Sequence, residues 1–314
     1  MSEKKKKRKK RKKKSLAFKV IMSLFVILLV LMTVGFSSIY NMLGKIDNVK
    51  IDSENLSINY EEISTYDNTE NIKNIALFGV DSNDDSTGRS DAILILTIDN
   101  NHNKLKLTSI MRDSYVNIPN HGMDKLNHAY AFGGPELAIQ TLNSNFGLNI
   151  EDFVSVNFSS LPQIINLLGG VQINITEEEV NHIPTINAPG LYNLTGEEAL
   201  AYSRIRYASG GDYVRTDRQR TVLNCLFSKL SQLPISSYPQ ILSEVLPYLK
   251  TNMGSTEILS LSSKITSVIS NGLIQSRFPK DDSSEGSMID GIYYLTFNIE
   301  DTKKQIMDYI YNDK

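Results

Sequence analysis

A single cysteine, Cys225, occurs among the 314 residues, which excludes an intrachain disulfide. It stands beside Leu226 on an apolar helical pattern and is expected in a core. Histidine is equally scarce: His102, His121, His128 and His182 are scattered, and no His/Cys group has the spacing of zinc ligands. No local motif supports a Ser-His-Asp arrangement. Internal repeats are absent, and low-complexity sequence is confined to the first residues. Charge is missing altogether between Val20 and Gly44, and Val20–Phe36 is almost wholly apolar. No small-x-small pattern follows that would mark a cleavage site.

What precedes this run gives it meaning. Residues 4–14 are all Lys or Arg, and about 20 apolar residues suffice to cross the roughly 30 Å hydrocarbon layer of a bilayer. A basic block before such a run predicts a cytoplasmic N-terminus, so residues 1–19 are expected as a basic cytoplasmic tail and 20–40 as a transmembrane signal anchor. Topology and anionic lipid account for the basic block without nucleic acid. Outside residues 1–19 the chain carries 21 basic and 34 acidic residues, a net of −13. A domain so charged repels nucleic acid and anionic membrane in general. Any cluster of arginines within it should therefore serve one anionic ligand.

Such a cluster exists. Tyr202–Arg220 holds Arg204, Arg206, Arg215, Arg218 and Arg220, divided by the turn Gly210-Gly211-Asp212. Asp212 is a plausible helix N-cap, and Val222, Leu223, Leu226, Phe227 and Leu230 continue with helical periodicity. On that helix Arg215, Arg218 and Gln219 share one face. The guanidinium fork matches the oxygen pairs of phosphate and carboxylate, which makes the stretch a candidate anion site. The plainer alternative is a solvated basic face paired with nearby acids.

Upstream, 41–70 is polar and weakly patterned and reads as an extracytoplasmic stalk before a domain over 71–314. Asn74–Val80 has the character of a buried strand, Ser82–Ser90 of a loop, and Asp91 opens a second strand, DAILILTI. A turn at Asp99–Asn103 leads to a third strand, KLKLTSI. If the first two strands pair antiparallel, Asp81 and Asp91 lie at opposite feet of one loop. Two converging carboxylates beside arginines suit a hard divalent cation such as Mg2+. The alternative is an Asx-turn residue and a strand-edge aspartate. Arg112 and Lys125 would add positive charge at the same end of the sheet.

Further on, Gly133-Gly134-Pro135 is expected to start a helix, Phe153–Phe158 a strand, Leu161–Leu168 a short helix and Val171–Ile175 a strand. Thr195-Gly-Glu-Glu198 is a capping box that should open a helix reaching Arg206. Amphipathic helices broken by Pro234, Pro239 and Pro247 follow, then strands at Gln275–Phe278 and Gly291–Phe297 and a helix over Ile299–Tyr311. Strands alternating with helices predict an α/β fold with a mixed sheet between helical layers.

The ordered set Gly79-x-Asp81, Gly88-Arg89-Ser90-Asp91, Ser-Ile-x-Arg112-Asp113, Lys125-x-Asn127-x-Ala-Tyr130, Leu168-Gly-Gly-Val171, Tyr-Ser-Arg204-x-Arg206 and Gly-Asp212-x-x-Arg215-x-x-Arg218-Gln219 resembles the signature of the LytR-CpsA-Psr proteins. The resemblance runs from about Asn71 to Leu230. It implies a single extracytoplasmic α/β/α sandwich with a hydrophobic pocket for a lipid tail. It also implies a membrane-anchored phosphotransferase that moves a glycopolymer from polyprenyl pyrophosphate to a hydroxyl of peptidoglycan, usually the 6-OH of N-acetylmuramic acid. Carried over by motif, Asp81 and Asp91 would hold Mg2+, or Mn2+ in its place. Arg89 and Arg112 would act on the reacting phosphates, and Arg204, Arg206, Arg215, Arg218, Gln219 and Lys125 would bind them. Asn83, Met111 and Val214 depart from the usual Arg, Pro and Gly; only the first removes a charge. Two other functions fit the same motifs: a polyprenyl-binding regulator without turnover, and a polyprenyl-pyrophosphate hydrolase.

Overall fold

The computed structural model describes residues 44, 46–81, 88–205, 218, 221–222, 225–226, 228–229, 244–268 and 273–314. Two compact units make up the chain, Met1–Lys45 and Ile46–Lys314. The expected tail and transmembrane anchor lie outside the described residues, among which no helix is long and apolar enough to cross a membrane.

The second unit opens with β1 (Asp47–Asn48) and the short helix α1 (Tyr60–Ile63), followed by β2 (Ile72–Asp81), β3 (Arg89–Asp99) and β4 (Lys104–Ile110). A hairpin, β5 (Tyr115–Ile118) and β6 (Gly122–Lys125), leads into α2 (Leu126–Phe146), β7 (Asp152–Asn157) and α3 (Leu161–Leu167). Then come β8 (Val171–Ile175), α4 (Glu177–Val180), β9 (Gly190–Leu194) and α5 (Gly196–Ser203). The C-terminal part holds β10 (Leu249–Thr251), α6 (Ser255–Val268) and β11 (Leu273–Phe278), then the hairpin β12 (Ser284–Ile289) and β13 (Ile292–Phe297), and α7 (Ile299–Tyr311).

Seven strands form one sheet in the order β1-β10-β7-β2-β3-β4-β11. The pairs β2–β3, β3–β4 and β7–β10 are antiparallel, whereas β2–β7, β4–β11 and β1–β10 are parallel, so the sheet is mixed as predicted. Strand β3 is a continuous apolar run because both of its faces are covered. Ile93 and Ile95, with Ala76 and Phe78 of β2, pack with Ile139, Leu142 and Phe146 of α2 and Ile306 and Ile310 of α7. Ala92, Leu94 and Leu107 join Ile164 and Ile165 of α3 and Ala199 and Tyr202 of α5 on the other side. Helix, sheet and helix are thus stacked as an α/β/α sandwich.

Several local expectations change. Strand β2 begins at Ile72 and β3 at Arg89, so the pairing shortens the loop, of which residues 82–87 lie outside the described set. Residues 46–70, expected as a stalk, contribute Leu56 and Ile63 to the core, and Asp47–Asn48 pair with β10. Gly133 and Gly134 do break the helical backbone ahead of Pro135, but helical structure already starts at Leu126. Helix α5 ends at Ser203 rather than Arg206, and Ile205 turns into the core at 3% exposure. Arg204 is its C-cap.

The N-terminus of α5 is seated very tightly. Thr195 and Glu198 close the predicted capping box, and Gly196 N donates to Asn166 Oδ1 at 2.8 Å. A Cβ on Gly196 would come within 2.1 Å of Pro162 O and 2.4 Å of Pro162 Cα. Gly196→Ala is expected to cost about 1–3 kcal/mol through overpacking, read as a lower urea midpoint. An unchanged midpoint would mean that α3 and α5 move apart at no cost.

Candidate active site

The β2–β3 register slips between Gly79 and Val80: Gly79 faces Ala92 while Val80 faces Ser90. Asp91 is the residue left over, a β-bulge, and bulges re-aim the side chain they carry. Its carboxylate, on a residue 6% exposed, meets Arg112 with Nη1 to Oδ1 at 2.7 Å. Arg112 comes from the turn after β4, which is tied in by backbone bonds: Met111 N to Phe278 O, and Asn127 N to Arg112 O. Arg112 Nε lies 3.3 Å from Asp113 Oδ2, and Lys125 Nζ lies 2.8 Å from Asp113 Oδ1. The result is a buried chain of alternating charge, Asp91–Arg112–Asp113–Lys125, whose side chains are 4–18% exposed. Removing such groups from water is costly unless each is paired, and here the two cations and two anions balance.

Around this chain, three buried polar atoms have no partner among the described residues: Ser90 Oγ, Ser114 Oγ and Asn127 Oδ1. Asn127 Nδ2 is 3.5 Å from Asp91 Oδ1, which places the Asn127 amide beside the chain with its nitrogen toward the carboxylate. An acceptor oxygen beside a carboxylate is the donor set that hard cations take. Among the described residues no three His, Cys, Asp or Glu converge, and Asp81 is described only through its backbone, opposite Arg89. Arg89 itself is exposed.

At the carboxyl ends of the parallel pair β2 and β7 lies an open cavity of about 350 Å³, lined by Val80, Gly88, Tyr130, Asn157, Ser160 and Lys250 among others. Crevices at this position of α/β sheets are common ligand sites. The bulge places Asp91 beside this mouth, next to Ser90, whose partner Val80 lines it.

The arginine-rich stretch is divided. Arg206, Arg215 and Gln219 lie outside the described residues, and Arg204 is exposed at the end of α5. Arg218 is 4% exposed and donates through Nε to Glu179 Oε1 at 2.7 Å and through Nη1 to Ile205 O at 3.4 Å. Glu179 also closes a capping box with Thr176 at the start of α4. Burial, then the Glu179 charge, pushes the neighbouring Tyr202 hydroxyl up to about 12. The residues not singled out from sequence are thus Glu179 and the acceptor oxygen of Asn127. A T-x-x-E box at Thr176–Glu179 signals the former, but nothing in it announces a buried arginine. Cys225 is partly buried, with Sγ 3.2 Å from Gln172 O, and burial raises its thiol pKa.

A model of the LytR_cpsA_psr family matches residues 32–309. The polyisoprenyl-teichoic acid–peptidoglycan teichoic acid transferase TagU of Enterococcus faecalis is 35% identical over 70% of this chain and 73% of its own. The protein of the same name from Oceanobacillus iheyensis is 30% identical over 88% of each. Among solved structures, TagT bound to LIIa-WTA superposes with a TM-score of 0.62 at 28% identity, covering 79% of this chain and 92% of that one. The LytR-CPS2A-psr family protein YwtF (TagT) with bound octaprenyl pyrophosphate lipid gives 0.58 at 26%, over 79% and 93%.

Proposed function

Because the chain belongs to the LytR-CpsA-Psr family, we propose that it is a membrane-anchored phosphotransferase acting on a polyprenyl-pyrophosphate-linked anionic glycopolymer. The polymer goes to a hydroxyl of peptidoglycan, the 6-OH of N-acetylmuramic acid. The hydroxyl oxygen bonds to the glycan-side phosphorus, the P–O bond to the lipid phosphate breaks, and polyprenyl monophosphate leaves. The product is a phosphodiester, and the hydroxyl proton passes to a carboxylate, Asp81 or Asp113. Residues 20–40 serve as the anchor, with residues 1–19 in the cytoplasm and the domain outside, at the cell membrane.

The observation that carries this reading is the buried Asp91–Arg112–Asp113–Lys125 chain at the mouth of the sheet. Phosphoryl transfer relies on positioned charge around the phosphate oxygens and the leaving group. Arg112 is held by two carboxylates, so its charge is aimed before substrate arrives. Arg89 and Arg204 are exposed at their respective ends of β3 and α5 and are assigned to the phosphates together with Arg206, Arg215 and Gln219. Arg218 serves from behind, where its bond to Glu179 fixes α4 to the chain around Ile205. Mg2+, or Mn2+, would be held by Asp81 and Asp91, with the Asn127 amide oxygen as a further donor, and would supply neutralisation of pyrophosphate charge. The cavity beside Val80 and Gly88 is assigned to the donor.

The test is a transfer assay with a short polyprenyl-pyrophosphate glycan, uncrosslinked peptidoglycan and Mg2+, run beside Asp91→Ala. Product that needs the acceptor and is lost in the variant is expected. Phosphate release without acceptor would make the protein a hydrolase, and donor binding without turnover would make it a regulator.

A further inference from the structure

Beside the buried ion chain stands the hairpin β12–β13, to which no motif and no step of the chemistry above assigns a task. It is fixed to the site through its backbone: Leu295 N donates to Asp113 O at 2.8 Å, and Ser114 and Leu295 form a parallel bridge. Two consecutive tyrosines of β13 flank Lys125, whose Nζ is 5.9 Å from the Tyr293 ring centre and 5.8 Å from that of Tyr294. Tyr294 is packed away at 8% exposure, 4.7 Å from the Tyr115 ring, with its hydroxyl donating to Asp124 Oδ1 at 3.4 Å.

Tyr293 differs. It is 38% exposed, which for an aromatic beside a buried charge cluster leaves a usable surface. Its ring is seated over Gly286 of the partner strand, where a Cβ would come within 2.7 Å of Cε2 and 2.9 Å of the hydroxyl oxygen. A ring laid across a glycine has its orientation set by the strand beneath it. Met288, its direct cross-strand partner, is 67% exposed and extends the apolar surface. A fixed aromatic plane next to Lys125 and Asp113 thus pairs apolar area with groups that bind hydroxyls.

A pyranose ring has that complementary form, with a face of C–H bonds and a rim of hydroxyls. We propose that Tyr293 is the stacking platform for a sugar ring of the acceptor saccharide, a positioning residue that sets the acceptor hydroxyl against the buried ion chain. The proposal rests on the transferase reading for the word acceptor. It places the donor phosphates at Arg112 and the acceptor beyond Lys125, in the linear order Asp91, Arg112, Asp113, Lys125, Tyr293. An anionic lipid surface fits the hairpin poorly, because Asp281, Asp282, Glu285 and Asp290 outnumber Arg277 and Lys280 in and beside it.

The chain contains no tryptophan, so Tyr293→Trp would carry the sole indole. Full-length protein in detergent, titrated with soluble uncrosslinked peptidoglycan saccharide, is expected to show a saturable emission shift. In the transfer assay Tyr293→Ala is expected to raise the acceptor KM about tenfold while leaving the donor KM in place. Tyr293→Phe, which keeps the ring, should recover most of that loss, and all three variants should share one urea midpoint. An emission shift without any transfer by the wild-type protein would uphold the platform and remove the transferase reading. Emission that ignores saccharide, an unmoved acceptor KM with intact transfer, or a response to anionic lipid vesicles alone would each overturn the platform.

Discussion

Arg112→Lys protein is expected to fold and to transfer glycan at roughly a hundredth to a thousandth of the wild-type rate. The charge survives this change but its shape does not. The guanidinium reaches Asp91 through Nη1 at 2.7 Å and Asp113 through Nε at 3.3 Å, two carboxylates held from different nitrogens of one planar fork. An ammonium is a point charge on a flexible stem, and it cannot occupy both positions. Asp91 or Asp113 then loses the guanidinium, and the charge proposed to face the phosphate oxygens is no longer aimed. Arg112→Ala acts differently, taking from two buried carboxylates the guanidinium they share. It should cost about 3–5 kcal/mol of stability as well as activity. Single-turnover rates and urea midpoints measured on both proteins separate the two effects. A wild-type single-turnover rate in Arg112→Lys would sink the idea that the fork geometry matters.

The largest effect on stability is expected at Lys106, far from the chemistry. Its side chain is wholly buried, with Nζ 2.9 Å from Tyr309 O, 3.1 Å from Ile310 O, 2.8 Å from Asp99 Oδ2 and 3.2 Å from Asp313 Oδ1. The carbonyls belong to the last turn of α7, the negative end of the helix dipole. One ammonium thus closes β4, β3 and the C-terminal helix together. Lys106→Met keeps the length of the side chain but leaves the fully buried Asp99 with His102 as its remaining partner, and should cost about 3–5 kcal/mol in urea unfolding.

The same knot sets an acid limit. Burial pushes the Asp99 carboxyl up, but hydrogen bonds from Lys106 and His102 outweigh it and hold the group below its ordinary range. Asp313 is lowered in the same way by Lys104 and Lys106. A carboxyl depressed in the folded state contributes stability that is present above its unfolded value, near 3.9, and lost as pH falls through the folded one. Wild-type stability should therefore drop below about pH 4, and Lys106→Met should show a shallower acid slope. Equal slopes in the two proteins would remove Lys106 as the source.

Much of this was legible beforehand, for identifiable reasons. The β2–β3–β4 meander declares itself through NIALFGV, DAILILTI and KLKLTSI, since strands covered on both faces are continuous apolar runs. The capping box at Thr195–Glu198 marks α5 correctly because its two hydrogen bonds are local. The meeting of Arg112 with Asp91 follows from strand direction, whereas Lys125 joins through Asp113 from a separate hairpin. What escaped was non-local or too short to carry a period. Strands β1 and β10 are two and three residues long. Leu56 and Ile63 are isolated anchors in a polar segment that otherwise reads as a stalk. Glu179 reaches its arginine across 39 residues, and no spacing rule connects them. Lys106 alternates with Leu105 and Leu107 as an outward residue would, until α7 closes over it.

The bulge at Asp91 has a consequence for how such a protein can change over time. Ser90 stands opposite Val80 and Ala92 opposite Gly79, so one extra residue makes the strand change phase. In a regular strand Ser90 and Ala92, two residues apart, would share a face; the bulge puts them on opposite ones. On the Ala92 side the alternation is dictated by two helical layers; on the Arg89 side it follows a separate count. Deleting Asp91 would leave Ser90 opposite Val80 and Arg89 opposite Asp81 in an unbulged ladder, so the sheet would keep its phase and lose the carboxylate that the bulge carries. The strand thus serves two tasks with one odd residue between them: Ala92 onward is packed between helical layers, and Asp91 is freed to face Arg112.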